Sequence, residues 1–105
     1  MEDRFQLKVT PAAEHDLDEL YYYITNNLVA PQAVDNLLDD IEKQILSLCD
    51  FPHRCEYSRN EILRDKGYRK LIIHNYVVPY LVDDTSKTVI VVRVFYGAMD
   101  YEKYV

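Results

Sequence analysis

Glycine is scarce in this chain of 105 residues, with only Gly67 and Gly97 present, so no glycine-rich loop is available to cradle a nucleotide phosphate. The two cysteines, Cys49 and Cys55, form no disulfide framework, and no histidine or further cysteine stands beside them at zinc-site spacing. No metal and no cofactor is therefore expected. Long apolar runs are missing too: Glu2, Asp3, Arg4, Lys8, Glu14, Asp16 and Asp18 punctuate the first twenty residues and exclude a signal peptide or a membrane span there. The expected compartment is the cytoplasm. Tryptophan is absent, but ten tyrosines supply rings that can be half buried with a hydroxyl at the surface, as a sizeable interface would need.

Basic side chains are few in the first half. Residues 1–50 hold eleven acidic and three basic side chains, whereas residues 51–105 hold seven and nine, so the formal net charge of -6 divides into -8 and +2. Five of the basic side chains fall between Arg59 and Lys70, against only Glu61 and Asp65. This is a local cationic segment on an acidic protein, and surfaces of opposite sign usually meet different partners.

The length fits one domain, residues 1–105, with no long linker, repeat or low-complexity segment. Phe5 to Val9 alternates apolar and polar, as a half-buried strand does. Thr10 is placed to cap a helix opened by Pro11, where a missing amide hydrogen costs nothing. Ala13, Leu17, Leu20, Tyr21, Ile24 and Leu28 recur at steps of three and four and predict its buried stripe. Pro31 opens a second helix with Val34, Leu37, Leu38, Ile41, Ile45 and Leu48 inward, and Phe51-Pro52 ends it. The short connection makes the pair an antiparallel hairpin.

Three strands follow, at Tyr68 to His74, Tyr76 to Val82 and Thr88 to Tyr96, rich in valine, isoleucine and tyrosine. Pro79 cannot donate to a ladder, so an edge or a bulge is expected there. The predicted fold is α+β: an N-terminal strand and an antiparallel two-helix hairpin packed on a mostly antiparallel four-stranded sheet.

The segments VTPAAEHDLDELYYYI at 9–24, IEKQILSLCDFPHR at 41–54, GYRKLIIHNYVVPYLVDD at 67–84 and VIVVRVFYGAMD at 89–100 together resemble the RelE/ParE toxins of bacterial type II toxin-antitoxin modules. The resemblance covers nearly the whole chain in a fixed order. It implies a toxin held inactive by a cognate antitoxin, whose disordered segment folds across it as a helix, an added strand or both. A heterotetramer with that antitoxin is one implied assembly. Members of the family either cleave messenger RNA, usually on the ribosome, or poison DNA gyrase.

Metal-independent RNA cleavage requires a base for the 2'-hydroxyl, cations beside the scissile phosphate and a proton donor for the leaving oxygen. The resemblance places a family arginine at Arg69, which becomes the first catalytic candidate, followed by Lys66 and Tyr96. Arg64, Lys70, Arg93, His74 and Tyr104 are candidates for contacting nucleic acid, with His53, Tyr80 and Tyr101 as further proton-transfer or stacking groups. Each also has an ordinary structural reading. Arg69 and Lys70 suit solvated strand ends, the His74-Asn75 pair suits a turn, and Arg93 in a valine-rich strand suits a structural ion pair. Tyr21, Tyr22 and Tyr23 suit helix packing and surface.

Two positions depart from the family pattern. Val77 follows Tyr76 where ribosome-dependent nucleases carry arginine, and Tyr96-Gly97-Ala98-Met99-Asp100 replaces an arrangement resembling His-Gly-Arg-Arg-Asp. Two phosphate-binding cations are thereby missing, which weakens both nucleic-acid binding and catalysis. The expected function is cleavage of messenger RNA with a reduced site, the commoner activity of the superfamily; the alternatives are a toxin acting on gyrase through surface contact and an antitoxin-binding module without toxicity.

Overall fold

The computed structural model of the protein describes residues 4–27 and 31–96. The first strand of the sequence is β1 (Gln6–Val9), and Thr10 closes it by turning directly into α1 (Pro11–Asn27). Thr10 Oγ1 accepts the N–H of Ala13 at 3.1 Å and donates to the carbonyl of Val92 at 2.6 Å. One side chain thus caps the helix and ties its start to the sheet. The second helix, α2 (Pro31–Ser47), ends where Arg54 Nη2 reaches back to Ser47 Oγ at 2.8 Å and to the carbonyl of Gln44 at 3.4 Å. A guanidinium at a helix C-terminus meets both its orphan carbonyls and its negative dipole end.

A short helix, α3 (Glu61–Asp65), interrupts the basic segment before the sheet resumes. The helix was not expected from the sequence, although its signals are there. Asn60 Oδ1 accepts the N–H of Leu63 at 3.1 Å, and Gly67 follows at φ +90°. An N-capping asparagine and a glycine in left-handed conformation past the last turn are ordinary start and stop signs.

The sheet contains β2 (Arg69–Ile73), β3 (Tyr76–Asp83), β4 (Thr88–Val91) and β5 (Phe95–Tyr96) in addition to β1. Its order is β1-β4-β3-β2, with β5 also on β3, and every pairing is antiparallel except that of β1 with β4. The predicted α+β arrangement is present. Its core joins Ala13 and Leu20 of α1 and Ile41 and Ile45 of α2 to Leu71, Ile73, Val78, Tyr80, Val89 and Val91 of the sheet.

Two expectations are corrected. The last strand does not run unbroken from Thr88 to Tyr96 but leaves the ladder at residues 92–94. Pro79 lies opposite this break, on an interior strand: its carbonyl accepts the N–H of Val92 at 3.0 Å, while its own nitrogen has no hydrogen to offer. The bulge expected of Pro79 therefore falls on the neighbouring strand. Tyr21, placed in the buried stripe of α1 by its spacing, is exposed together with Tyr22 and Tyr23. Three consecutive residues sweep about 200° of a helix, so no single face can bury them all.

Candidate functional site

Arg69 and Tyr80 stand directly opposite each other across β2 and β3. Tyr80 is fully buried, and its hydroxyl donates to the carbonyl of Pro52 at 2.9 Å. Arg69 Nη1 donates to the carbonyls of Cys55 at 2.7 Å and His53 at 3.3 Å, and its guanidinium lies 3.9 Å from the centre of the Tyr57 ring. Two neighbouring side chains thus hold three carbonyls of the segment leading out of α2. Burial pushes the Tyr80 hydroxyl above its ordinary value, the neighbouring Cys55 thiol adds to this, and the charge of Arg69 opposes it. The segment continues alongside the start of β2: Tyr57 bridges Arg69, and the N–H groups of Ser58 and Lys70 reach the carbonyls of Tyr68 and Glu56 at 2.8 and 3.2 Å.

The other candidates are distributed over different elements. Arg93 places Nε and Nη2 on the carboxylate of Asp16 in α1 at 2.7 and 3.0 Å, and its guanidinium lies 4.6 Å from the Phe95 ring centre. The Asp16 hydrogen bond holds the Arg93 guanidinium more firmly protonated than usual. Arg93 thus forms the ion pair that was one of its two readings. His74, at φ +52° in the turn between β2 and β3, carries its Nε2 to Asp40 of α2. His53 pairs with Asp84 at 2.9 Å. Arg64 lies 3.8 Å from exposed Glu61, and exposed Lys66 forms the C-cap of α3. Lys70 is half-buried and neighbours Arg69 in β2, where successive side chains point to opposite faces. Tyr96 ends β5 with its side chain outside the description, and Tyr101 and Tyr104 lie outside the described residues.

The structure therefore joins Arg69 to Tyr80, Cys55, Tyr57 and His53, while α1 holds Arg93 and α2 holds His74. Asp16, expected on the outer faces of α1, was missed, although its steps of three and four residues from Ala13 and Leu20 set it beside the apolar stripe. Tyr57 had no comparable signal. Among the described residues no cluster of three or more histidine, cysteine or acidic groups is arranged to hold a metal ion, and no helix is long and apolar enough to cross a membrane.

Residues 7–101 match the family model described as the ParE toxin of the type II toxin-antitoxin system parDE. The chain belongs to the ParE toxin family. Solved structures agree on the fold. A chain of the chromosomal ParDE system of P. aeruginosa is 23% identical with a TM-score of 0.67, covering 90% of this toxin and 98% of that chain. One from the RelBE2 toxin-antitoxin complex of Mycobacterium tuberculosis is 20% identical with a TM-score of 0.62, over 89% and 98%. A conserved hypothetical protein of Helicobacter pylori is 16% identical with a TM-score of 0.55, over 90% and 96%. No curated protein matches this ParE-family chain.

Proposed function

We propose that this ParE-family toxin inhibits DNA gyrase by protein-protein contact and is held inactive by a cognate antitoxin in the cytoplasm. The observation that supports contact over RNA cleavage is that Arg69, Arg93 and His74 are held by different parts of the fold and do not gather round one point. Arg69 Nη1 is bound to two backbone carbonyls, Arg93 chelates Asp16, and His74 is paired with Asp40. A nuclease needs such groups converging on one phosphate, with a base poised nearby. Val77 lies beside Tyr76 in β3 without a cation, which agrees with this reading.

Inducing the chain alone in a bacterial host tests the proposal. Plasmid supercoiling and messenger RNA integrity are followed together: relaxed plasmid with intact RNA is expected, and early RNA cutting with unchanged supercoiling rules the proposal out. Co-expression of the neighbouring small reading frame should restore growth if it encodes the antitoxin.

A further inference from the structure

Arg69 is only half used by the fold. Its Nη1 takes the carbonyls of Cys55 and His53, and one face of its guanidinium lies on Tyr57, but Nε and Nη2 meet no partner among the described residues. No buried side-chain nitrogen or oxygen there lacks a hydrogen bond, so this second edge reaches the surface. Nor does any carboxylate among the described residues form an ion pair with Arg69. The Nε–Nη2 edge presents two parallel donors, the geometry that receives a carboxylate or phosphate in bidentate fashion. Two carbonyls and an aromatic ring already fix the plane of the group, which lowers the ordering cost of such a contact.

We infer that Arg69 is a docking site for an oxyanion, and that its ligand in the working toxin is a carboxylate of the protein target. The inference rests on the contact reading of function and deepens it by naming one anchor. A carboxylate is favoured over an RNA phosphate by the surroundings. Arg93 is neutralised by Asp16, and the side chains of Lys70 and Arg69 leave β2 on opposite faces, so neither joins Arg69 as a second phosphate ligand. One face of the Tyr57 ring is taken by the guanidinium itself, which leaves at most the other for a stacked base. Tyr57 remains 47% exposed around this stack, a ring beside a half-satisfied arginine, which is a composition typical of protein contact centres.

The test uses the full chain and two anions. Sodium acetate and inorganic phosphate are titrated separately at constant ionic strength, with the Nε–Hε resonances of the arginines followed by NMR. A saturable shift at Arg69 with acetate, larger than that at Arg59, is expected; no shift, or an equal shift at Arg59, overturns the inference. In parallel, Arg69→Lys is compared with wild type for inhibition of purified gyrase. Lysine keeps the charge but cannot offer two parallel donors, so at least a tenfold loss is expected while the N–H groups of Ser58 and Lys70 stay protected from exchange. Undiminished inhibition overturns the inference. If Arg69→Lys loses that protection, the acetate titration on the wild-type chain decides alone. RNA cleavage by the wild-type chain that disappears in Arg69→Lys identifies phosphate as the ligand and likewise overturns it. Should the wild-type chain leave gyrase unaffected, the functional proposal falls, and the titration still decides whether the edge takes a carboxylate.

Discussion

Asp16 receives three hydrogen bonds from one short stretch of chain: Nε and Nη2 of Arg93 at 2.7 and 3.0 Å and the N–H of Val94 at 3.0 Å. These contacts hold the break between β4 and β5 against α1, near the point where Thr10 reaches the Val92 carbonyl. The side chains of Arg93 and Asp16 are only 26% and 12% exposed. Removing one partner therefore leaves a poorly hydrated charge. Asp16→Ala is expected to destabilise the protein by about 2–4 kcal/mol, read from the urea midpoint. A cost indistinguishable from zero contradicts the assignment.

Tyr80→Phe removes the hydroxyl that donates to Pro52 while keeping the buried ring. The expected loss is about 1–2 kcal/mol, because the Pro52 carbonyl forfeits a partner. Faster exchange of the Ser58 and Lys70 N–H groups should accompany it if this bond helps fix the segment.

The same tyrosine gives a dependence on alkali. Its folded-state value is raised above the ordinary 10.0, chiefly by burial, so the native state holds a proton that the unfolded chain releases. The contribution is fully present below about pH 10 and is lost as pH rises toward the folded value. Urea midpoints of wild type measured upward from pH 9 should fall more steeply than those of Tyr80→Phe. Parallel curves would contradict this.

Gly67 sits at φ +90°, and a Cβ built there meets nothing closer than Leu81 Cδ2 at 3.9 Å. Space is adequate, so the cost of Gly67→Ala comes from backbone strain, at about 1–2 kcal/mol. D-alanine, introduced by chemical synthesis, should recover most of it. Equal destabilisation by both enantiomers would contradict the strain account.

Much of the fold was readable because burial imposes a period. Ile41 and Ile45 of α2, Leu48 just past its end, and Leu71 and Ile73 of β2 follow spacings of about four and of two, and all five are buried. Thr10 followed by Pro11 marked the start of α1. The short α3 was concealed by its charges, since a single inward residue, Leu63, gives no period to detect. The end of β4 was hidden because valines at 89, 91, 92 and 94 suit a strand, whereas long-range bonds from Thr10, Asp16 and Pro79 claim residues 92–94. The candidate site was less legible. Sequence marked Arg69 as important, but which groups occupy a guanidinium depends on backbone carbonyls of a distant loop, and these leave no signature in side-chain order. The pairing of Arg93 with Asp16 joins residues far apart in the chain and needs the folded sheet to appear.

Supercoiling by purified gyrase, titrated with the purified chain while an added messenger RNA is followed in the same reaction, tests the proposed mode of action most directly. The account predicts inhibition that rises with toxin concentration, RNA that remains full length, and relief when an antitoxin is supplied. RNA cut by the chain while gyrase keeps its full activity would contradict it.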